Sequence, residues 1–220
     1  MSAGTIADPR GFILAHTRLQ HPPHTPELDL YLADEVTPIW RLTEEELGQM
    51  GLPPPFWAFA WAGGQALARY LLDHPFEAKR RSVFDLGTGS GIVAIAAAKV
   101  GARAVNGCDL DPFSAAAVAL NAGANDVVVG FARRDGLESD PPDAEVICAA
   151  DVCYEQPLAD RAIAWLRTAH ERGARVLLGD PGRTYFPKSG LVKLAEYQVP
   201  TTRELEDAEV KRTAVWTFPG

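Results

Sequence analysis

The run from Val83 to Gly91, VFDLGTGSG, constrains the fold more than any other stretch of this chain. Apolar residues lead directly into a turn with glycines at alternate positions, the pattern of a β-strand emptying into a loop. Gly87, Gly89 and Gly91 let the backbone turn tightly and place no Cβ between it and a ligand. Ile92 to Lys99, IVAIAAAK, is rich in alanine and apolar residues, and predicts a helix whose N-terminal amides face the same space. About 20 residues on, where a dinucleotide-type fold carries its ribose-binding acid, the apolar run Ala104 to Cys108 ends in Asp109. A carboxylate there can accept hydrogen bonds from both hydroxyls of a ribose. A bare β-to-α turn is the plainer reading, but three glycines with a placed acid exceed what a turn needs. The loop fits two cofactor classes, nicotinamide dinucleotides and S-adenosylmethionine. Spacing favours the second, because the dinucleotide fingerprint needs a third glycine where this chain has Ile92.

A chain of 220 residues holds one sizeable α/β domain with an N-terminal extension, and is too short for two ordinary domains. We set the extension at residues 1–55 and the catalytic domain at 56–220. No apolar run approaches the ~20 residues of a transmembrane span, and the N-terminus lacks a secretory signal. The net charge of −8 opposes a grip on a phosphate backbone. A protein surface carrying lysines is the more natural partner. The expectation is a monomer in the cytoplasm that binds neither nucleic acid nor membrane. Cys108, Cys148 and Cys153 lack a C-x-x-C pattern and read as buried reduced thiols, not a disulfide or zinc site. The five histidines show no metal-ligand spacing, so no metal is assigned.

Residues 1–55 are proline-rich and weakly periodic, with a short helix expected at Glu44 to Met50, capped by Thr43 and Glu46. We read them as an accessory lid or substrate-facing extension. An aromatic entry with Trp57 and Trp61 and a Gly63-Gly64 pair then lead into a helix through Leu72. Beyond it, strands are expected near Ser82–Leu86, Ala104–Cys108, Asp126–Phe131, Ala144–Ala149 and Ala174–Leu178. They alternate with helices near Gly91–Val100, Pro112–Ala122 and Leu158–Glu171, which implies a parallel sheet wrapped on both faces. Leu194–Val199 and Val210–Phe218 read as a closing antiparallel pair at one edge.

In CDLDP, Asp111 precedes Pro112 and reads as a helix N-cap with proline at the first helical position, which leaves Asp109 for the ribose. Asp135 follows the third strand, where its carboxylate can accept from an adenine amino group or simply close a solvated turn. The fourth strand ends in ICAADVCYE, at the sheet edge where an open parallel sheet places its active crevice. Asp151 and Tyr154 stand there together. A carboxylate stabilises a lysine's ammonium form, so Asp151 suits capturing and aiming a lysine better than deprotonating it. Tyr154 can wall the channel with its ring. A helix N-cap and a packing tyrosine is the alternative for this pair. Trp57 and Trp61 suit a sulfonium or an adenine edge, although packing is the commoner role for such a pair. Ser114 and Ser189 lack a nucleophile-elbow context. The Asp180-Pro181-Gly182 turn is expected at the crevice rim, with Tyr185 and Phe186 as substrate contacts.

On these motifs the chain resembles the seven-β-strand class I methyltransferases, a Rossmann-like α/β fold. Within them it resembles the protein lysine methyltransferases with a D-x-x-Y motif after strand four, here Asp151-Val152-Cys153-Tyr154. More narrowly, PFWAFAWAGGQALARYLLDHP followed by VFDLGTGSGIVAIAAAKVGA is similar to the lysine methyltransferases of the electron transfer flavoprotein β subunit. The resemblance covers about Pro54 to the C-terminus. Ala62 departs from it, since family members often have proline there. The resemblance implies a twisted, mostly parallel seven-stranded sheet with an antiparallel last strand and helices on both faces. It also implies S-adenosylmethionine as methyl donor and methylation of lysine ε-amines. Trp61, Gly87, Thr88, Gly89, Gly91, Asp109, Asp135 and Ala150 would line the cofactor, and Asp151 and Tyr154 the lysine. Ribosomal proteins, methylated by relatives of the family, and small-molecule amines are the alternative substrates. A Rossmann oxidoreductase and a non-catalytic binding module are the alternative classes.

Overall fold

A computed structural model of the chain describes residues 8–34 and 54–220. The helix expected at Glu44–Met50 lies outside the described residues. The first elements are helix α1 (Pro9–His16), capped by the Asp8 side chain on the Gly11 amide at 2.9 Å, and a hairpin of β1 (Arg18–Gln20) and β2 (Leu30–Leu32). Helix α2 (Ala62–Asp73) follows, then β3 (Ser82–Leu86), α3 (Ile92–Lys99), β4 (Ala104–Asp109), α4 (Ser114–Ala124), β5 (Gly130–Arg133), β6 (Val146–Ala150), α5 (Gln156–Glu171) and β7 (Arg175–Asp180). Strand β8 (Val192–Pro200), the short helix α6 (Arg203–Glu206) and β9 (Val210–Thr217) close the chain.

The seven strands β3 to β9 form one sheet in the order β5-β4-β3-β6-β7-β9-β8. Strand β9 inserts between β7 and β8 and runs antiparallel to both, as expected of the last strand. The remaining neighbours pair in parallel, so their carboxyl ends share one edge. Reversal of strand order on either side of β3 and β6 opens the crevice there.

Alternate residues of the central strands enter opposite layers, as a period of two requires. Val83, Cys148 and Leu177 pack under α2 and α3, while Phe84, Ile147 and Leu178 pack under α5 against Trp165 and Leu166. This burial on both faces explains the unbroken apolar runs of the strands. Leu28 and Leu30, ahead of and within β2, are fully buried in the first layer, so the described part of the N-terminal extension shares the domain's core.

Two expected elements shift. The third strand of the parallel set starts at Gly130 rather than Asp126, because the chain leaves α4 through a turn with Asp126 at φ 56° and Val128 89 % exposed. The apolar run there packs Val127 and Val129 as a linker, not as a strand. Helix α4 starts at Ser114, and Asp111 caps the preceding turn by accepting from the Phe113 amide at 2.7 Å. It is therefore not the helix N-cap. The three cysteines are buried free thiols. Among the described residues no cluster could hold a metal ion, and no helix is long and apolar enough to cross a membrane.

Candidate active site

A cavity of about 390 Å³ opens at the carboxyl edge of β3, β4 and β6. Its floor is the loop after β3, where Gly87 and Gly89 line the cavity with φ 69° and 52°; Gly91, also left-handed at φ 87°, lies off the lining and packs toward Ile95 and Val118. Such angles strain any residue with a Cβ. Thr88 is buried, and its hydroxyl donates to the Asp85 carbonyl at 2.9 Å, which pins the loop to the sheet. The Thr88 hydroxyl therefore faces the protein, and its contribution to the cavity is backbone.

Asp109 ends β4 beside this loop. Its Oδ2 accepts from the Gly89 amide at 2.8 Å and its Oδ1 from the Asp111 amide at 2.9 Å. Burial pushes the Asp109 carboxyl above its ordinary value, opposed by the amides of Asp111 and Gly89. The Leu110 amide and Ser114 also favour its charged form. Below the loop, fully buried Asp85 is pushed up to about 8 by burial, its Oδ2 without a partner among the described residues. Asp135 lines the far end, with Oδ1 on the Leu137 amide and Oδ2 on Arg161, each at 2.8 Å. Both oxygens thus already hold protein partners that the sequence did not reveal. Ile92 also lines the cavity, at the position where a dinucleotide's pyrophosphate needs glycine.

The aromatic wall comes from the segment before α2. The Trp61 indole N–H donates to the Phe56 carbonyl at 2.9 Å, and its ring meets Phe56 edge-on at 5.7 Å. Trp57 is buried and stacked on Phe113 at 5.3 Å, a packing contact at the cavity's base. Tyr154 is 42 % exposed at the mouth, its ring 5.5 Å from Phe56. Burial raises its hydroxyl pKa, helped by Glu155 and Asp109. It stays protonated at neutral pH.

Ala150 and Asp151 carry β6 into the cleft. Asp151 has φ 57°, a left-handed conformation that aspartate tolerates better than most residues, with its amide on the Gly179 carbonyl at 3.0 Å. This turn aims the carboxylate at the N-terminus of α2, where Oδ2 accepts from the Gly64 amide at 2.9 Å. Gly63 makes that approach possible. A Cβ at Gly63 would stand 2.5 Å from the Gly179 carbonyl and 2.6 Å from Asp151 Oδ2.

The other Asp151 oxygen is held by Arg183, whose Nε and Nη2 donate to Oδ1 at 3.1 and 2.7 Å. The same Nη2 donates to Glu206 Oε1 at 3.0 Å, and that oxygen also accepts from the Ala62 amide at 3.3 Å. Asp180 shapes this arrangement, its Oδ1 accepting from the Gly182 and Arg183 amides at 2.7 and 2.8 Å. The expected turn at the rim is real, and its product is Arg183. Tyr185 is exposed and Phe186 packs 5.2 Å from Trp216, so neither lines the cleft. Arg183 could have been suspected from its place after the D-P-G turn. Glu206, 144 residues beyond Ala62, left no local signal.

The site therefore has two halves. One is a glycine-floored slot with a ribose-competent carboxylate, and it fits S-adenosylmethionine. The other is an acid and aromatic mouth suited to a lysine side chain.

The model of the ribosomal protein L11 methyltransferase (PrmA) family matches residues 65–152, the stretch from α2 through the end of β6. The electron transfer flavoprotein beta subunit lysine methyltransferase of Danio rerio is 36% identical over 99% of this chain and 86% of its own length. The protein of the same name from Homo sapiens is 34% identical over 98% of this chain and 85% of its own. Among solved structures, magnesium protoporphyrin IX methyltransferase from Synechocystis with bound SAM superposes with a TM-score of 0.52 at 19% identity, covering 71% of this chain and 78% of that one. That likeness bears on the fold. The near full-length identity decides the family: the chain belongs to the electron transfer flavoprotein β-subunit lysine methyltransferases.

Proposed function

We propose that the chain transfers methyl groups from S-adenosylmethionine to lysine ε-amines of an electron transfer flavoprotein β subunit. The observation that carries this reading is the joining, in one cavity, of the Gly87–Ser90 slot and Asp109 with Asp151 and Tyr154. Relatives at this identity are named for that substrate. In this reading the backbone of Gly87, Thr88 and Gly89 holds the cofactor, Gly91 turns the chain into α3 behind it, Asp109 takes the ribose hydroxyls, and Asp135, Ala150 and Trp61 bound the rest. Asp135 does so while tied to Arg161.

When bound, S-adenosylmethionine supplies an electrophilic methyl: the amine lone pair forms the N–C bond, the C–S pair returns to sulfur, and a surplus proton leaves to solvent. The residues of this chain contribute position. Asp151 accepts a hydrogen bond from the entering amine, and Tyr154 with Phe56 and Trp61 walls its alkyl stem. Holding the two reactants in attack geometry supplies much of such a rate. The −8 charge supports a protein partner over nucleic acid. A monomer acting in the cytoplasm completes the reading.

Incubation with tritiated S-adenosylmethionine and a lysate of the source organism tests it. Label in a band the size of the flavoprotein β subunit, lost in Asp109→Ala and Asp151→Ala, is the expected result. Label confined to a small ribosomal band or to small molecules would move the substrate elsewhere.

A further inference from the structure

We propose that Arg183 is a positioning residue that keeps the substrate lysine's amine uncharged by holding the negative charge of Asp151 to itself. The inference rests on the lysine methyltransferase reading above.

Only the neutral amine has a lone pair for attack, and free lysine, with a pKa of about 10.4, is almost wholly ammonium at neutral pH. A lone carboxylate within about 4–6 Å worsens this, stabilising the ammonium by roughly 1–3 pKa units. Asp151 would therefore trap the substrate in its unreactive form. The structure shows how that is avoided. Two donors of Arg183 converge on Asp151 Oδ1 at 2.7 and 3.1 Å, and Gly64 occupies Oδ2. The carboxylate that lines the cleft is thus already paired with a permanent cation. It retains one lone pair, on Oδ2, to orient an amine N–H and presents little net charge to hold an extra proton. Arg183 lies in the same cavity wall as Asp151 and Tyr154, its guanidinium carbon 5.7 Å from the centre of the Trp61 ring.

The surrounding charges make Arg183 decisive. Asp151 follows β6, Asp180 ends β7 and Glu206 ends α6, and all three act on Arg183. Asp180 Oδ2 is buried with no partner among the described residues. Glu155 and Asp109 add negative charge on the Tyr154 side. Lys211 on β9 acts on Glu206 from outside and shares a rim pocket with Arg183. Without Arg183, Asp151 would meet the incoming ammonium in the cleft, with the buried charges of Asp180 and Glu206 behind it and Lys211 as their nearby cation.

The test measures kcat and KM against pH for the full chain acting on purified electron transfer flavoprotein β subunit, with folding checked by thermal melting. For Arg183→Gln the alkaline-going limb of kcat moves up by about one pH unit or more. At neutral pH kcat then falls about tenfold while KM falls with it, because the ammonium is bound more tightly. Arg183→Lys, which keeps the charge, stays near the parent limb. Asp151→Asn moves the limb down, and should Arg183→Gln fail to fold, this shift decides: none overturns the proposal. Equal loss of kcat at every pH with a raised KM also overturns it and makes Arg183 a structural tie for α6. Absence of turnover by the parent chain overturns the reading beneath, and this inference with it.

Discussion

The buried side-chain amide of Asn121 donates to the Ser90 carbonyl at 2.8 Å, and so fixes the far end of the glycine loop to α4. Its oxygen accepts from the Tyr31 amide at 2.7 Å, which joins the same residue to the N-terminal hairpin. Asn121→Leu leaves a buried carbonyl and a buried amide without partners, each worth about 1–3 kcal/mol. Stability should drop by about 2–5 kcal/mol in urea titration, and cofactor affinity should weaken in calorimetry. Asn125, the cap residue after α4, offers the control, since among the described residues its side chain bonds the backbone of Asp29 ahead of β2, at 3.1 and 2.6 Å, and the Asn121 carbonyl at 2.8 Å. Asn125→Leu should lose stability and keep cofactor affinity.

Gly63→Ala should damage catalysis and folding together. Its Cβ would collide with the Gly179 carbonyl and with Asp151, and relief requires moving α2 off β7. Overpacking of this kind costs about 1–3 kcal/mol. Gly64→Ala meets only the Ile92 side chain at 3.1 Å and should be milder. Thermal melting and kcat, measured on both variants, check the order.

Glu77 and Arg175 form a half-buried ion pair, with guanidinium nitrogens 2.8 and 3.0 Å from the carboxylate and the Tyr70 hydroxyl donating at 2.9 Å. Burial works against the charged carboxylate, but Arg175 and Tyr70 outweigh it and hold its pKa below the ordinary value. The stability this group contributes is present above the ordinary glutamate range and lost as pH falls through its lowered value. Glu77→Ala leaves Arg175 with Thr217 and solvent and should cost about 1.5–3 kcal/mol at neutral pH, read by urea titration.

The opposite sign holds near the cleft. Burial pushes Asp180 up to about 6, Asp111 to about 7 and Asp85 to about 8. Each binds its proton more tightly folded than unfolded, so stability without ligand should decline as pH rises from about 4 through about 8. Asp85→Asn, which imitates the protonated carboxyl, should flatten that decline in melting temperature against pH.

Much of this site was legible because its signals are local. Gly87, Gly89 and Gly91 announce a loop with left-handed angles, and Asp109 stands at a fixed distance from it, so strand, loop and acid could be placed from spacing alone. Strands β3, β6 and β7 were visible as apolar runs because both of their faces are buried. Val127 to Val129 misled for the same reason, since β-branched residues mark apolar contact and this linker packs without pairing. Asp151 was found by its motif, but its partners were not. Arg183 meets it only after β7 has returned along the sheet, and Glu206 reaches Arg183 only once β8 and α6 have followed; no period or motif encodes an ion pair spanning 32 residues. The Gly63-Gly64 pair was noticed without a purpose, because the backbone it admits belongs to β7, far along the chain.

The most direct measurement is peptide-resolved mass spectrometry of purified electron transfer flavoprotein β subunit incubated with the chain and S-adenosylmethionine, alongside Asp109→Ala. The account predicts methyl groups on lysine side chains of that subunit and their loss in the variant. An unmodified subunit, with the chain folded and the cofactor bound, would contradict it.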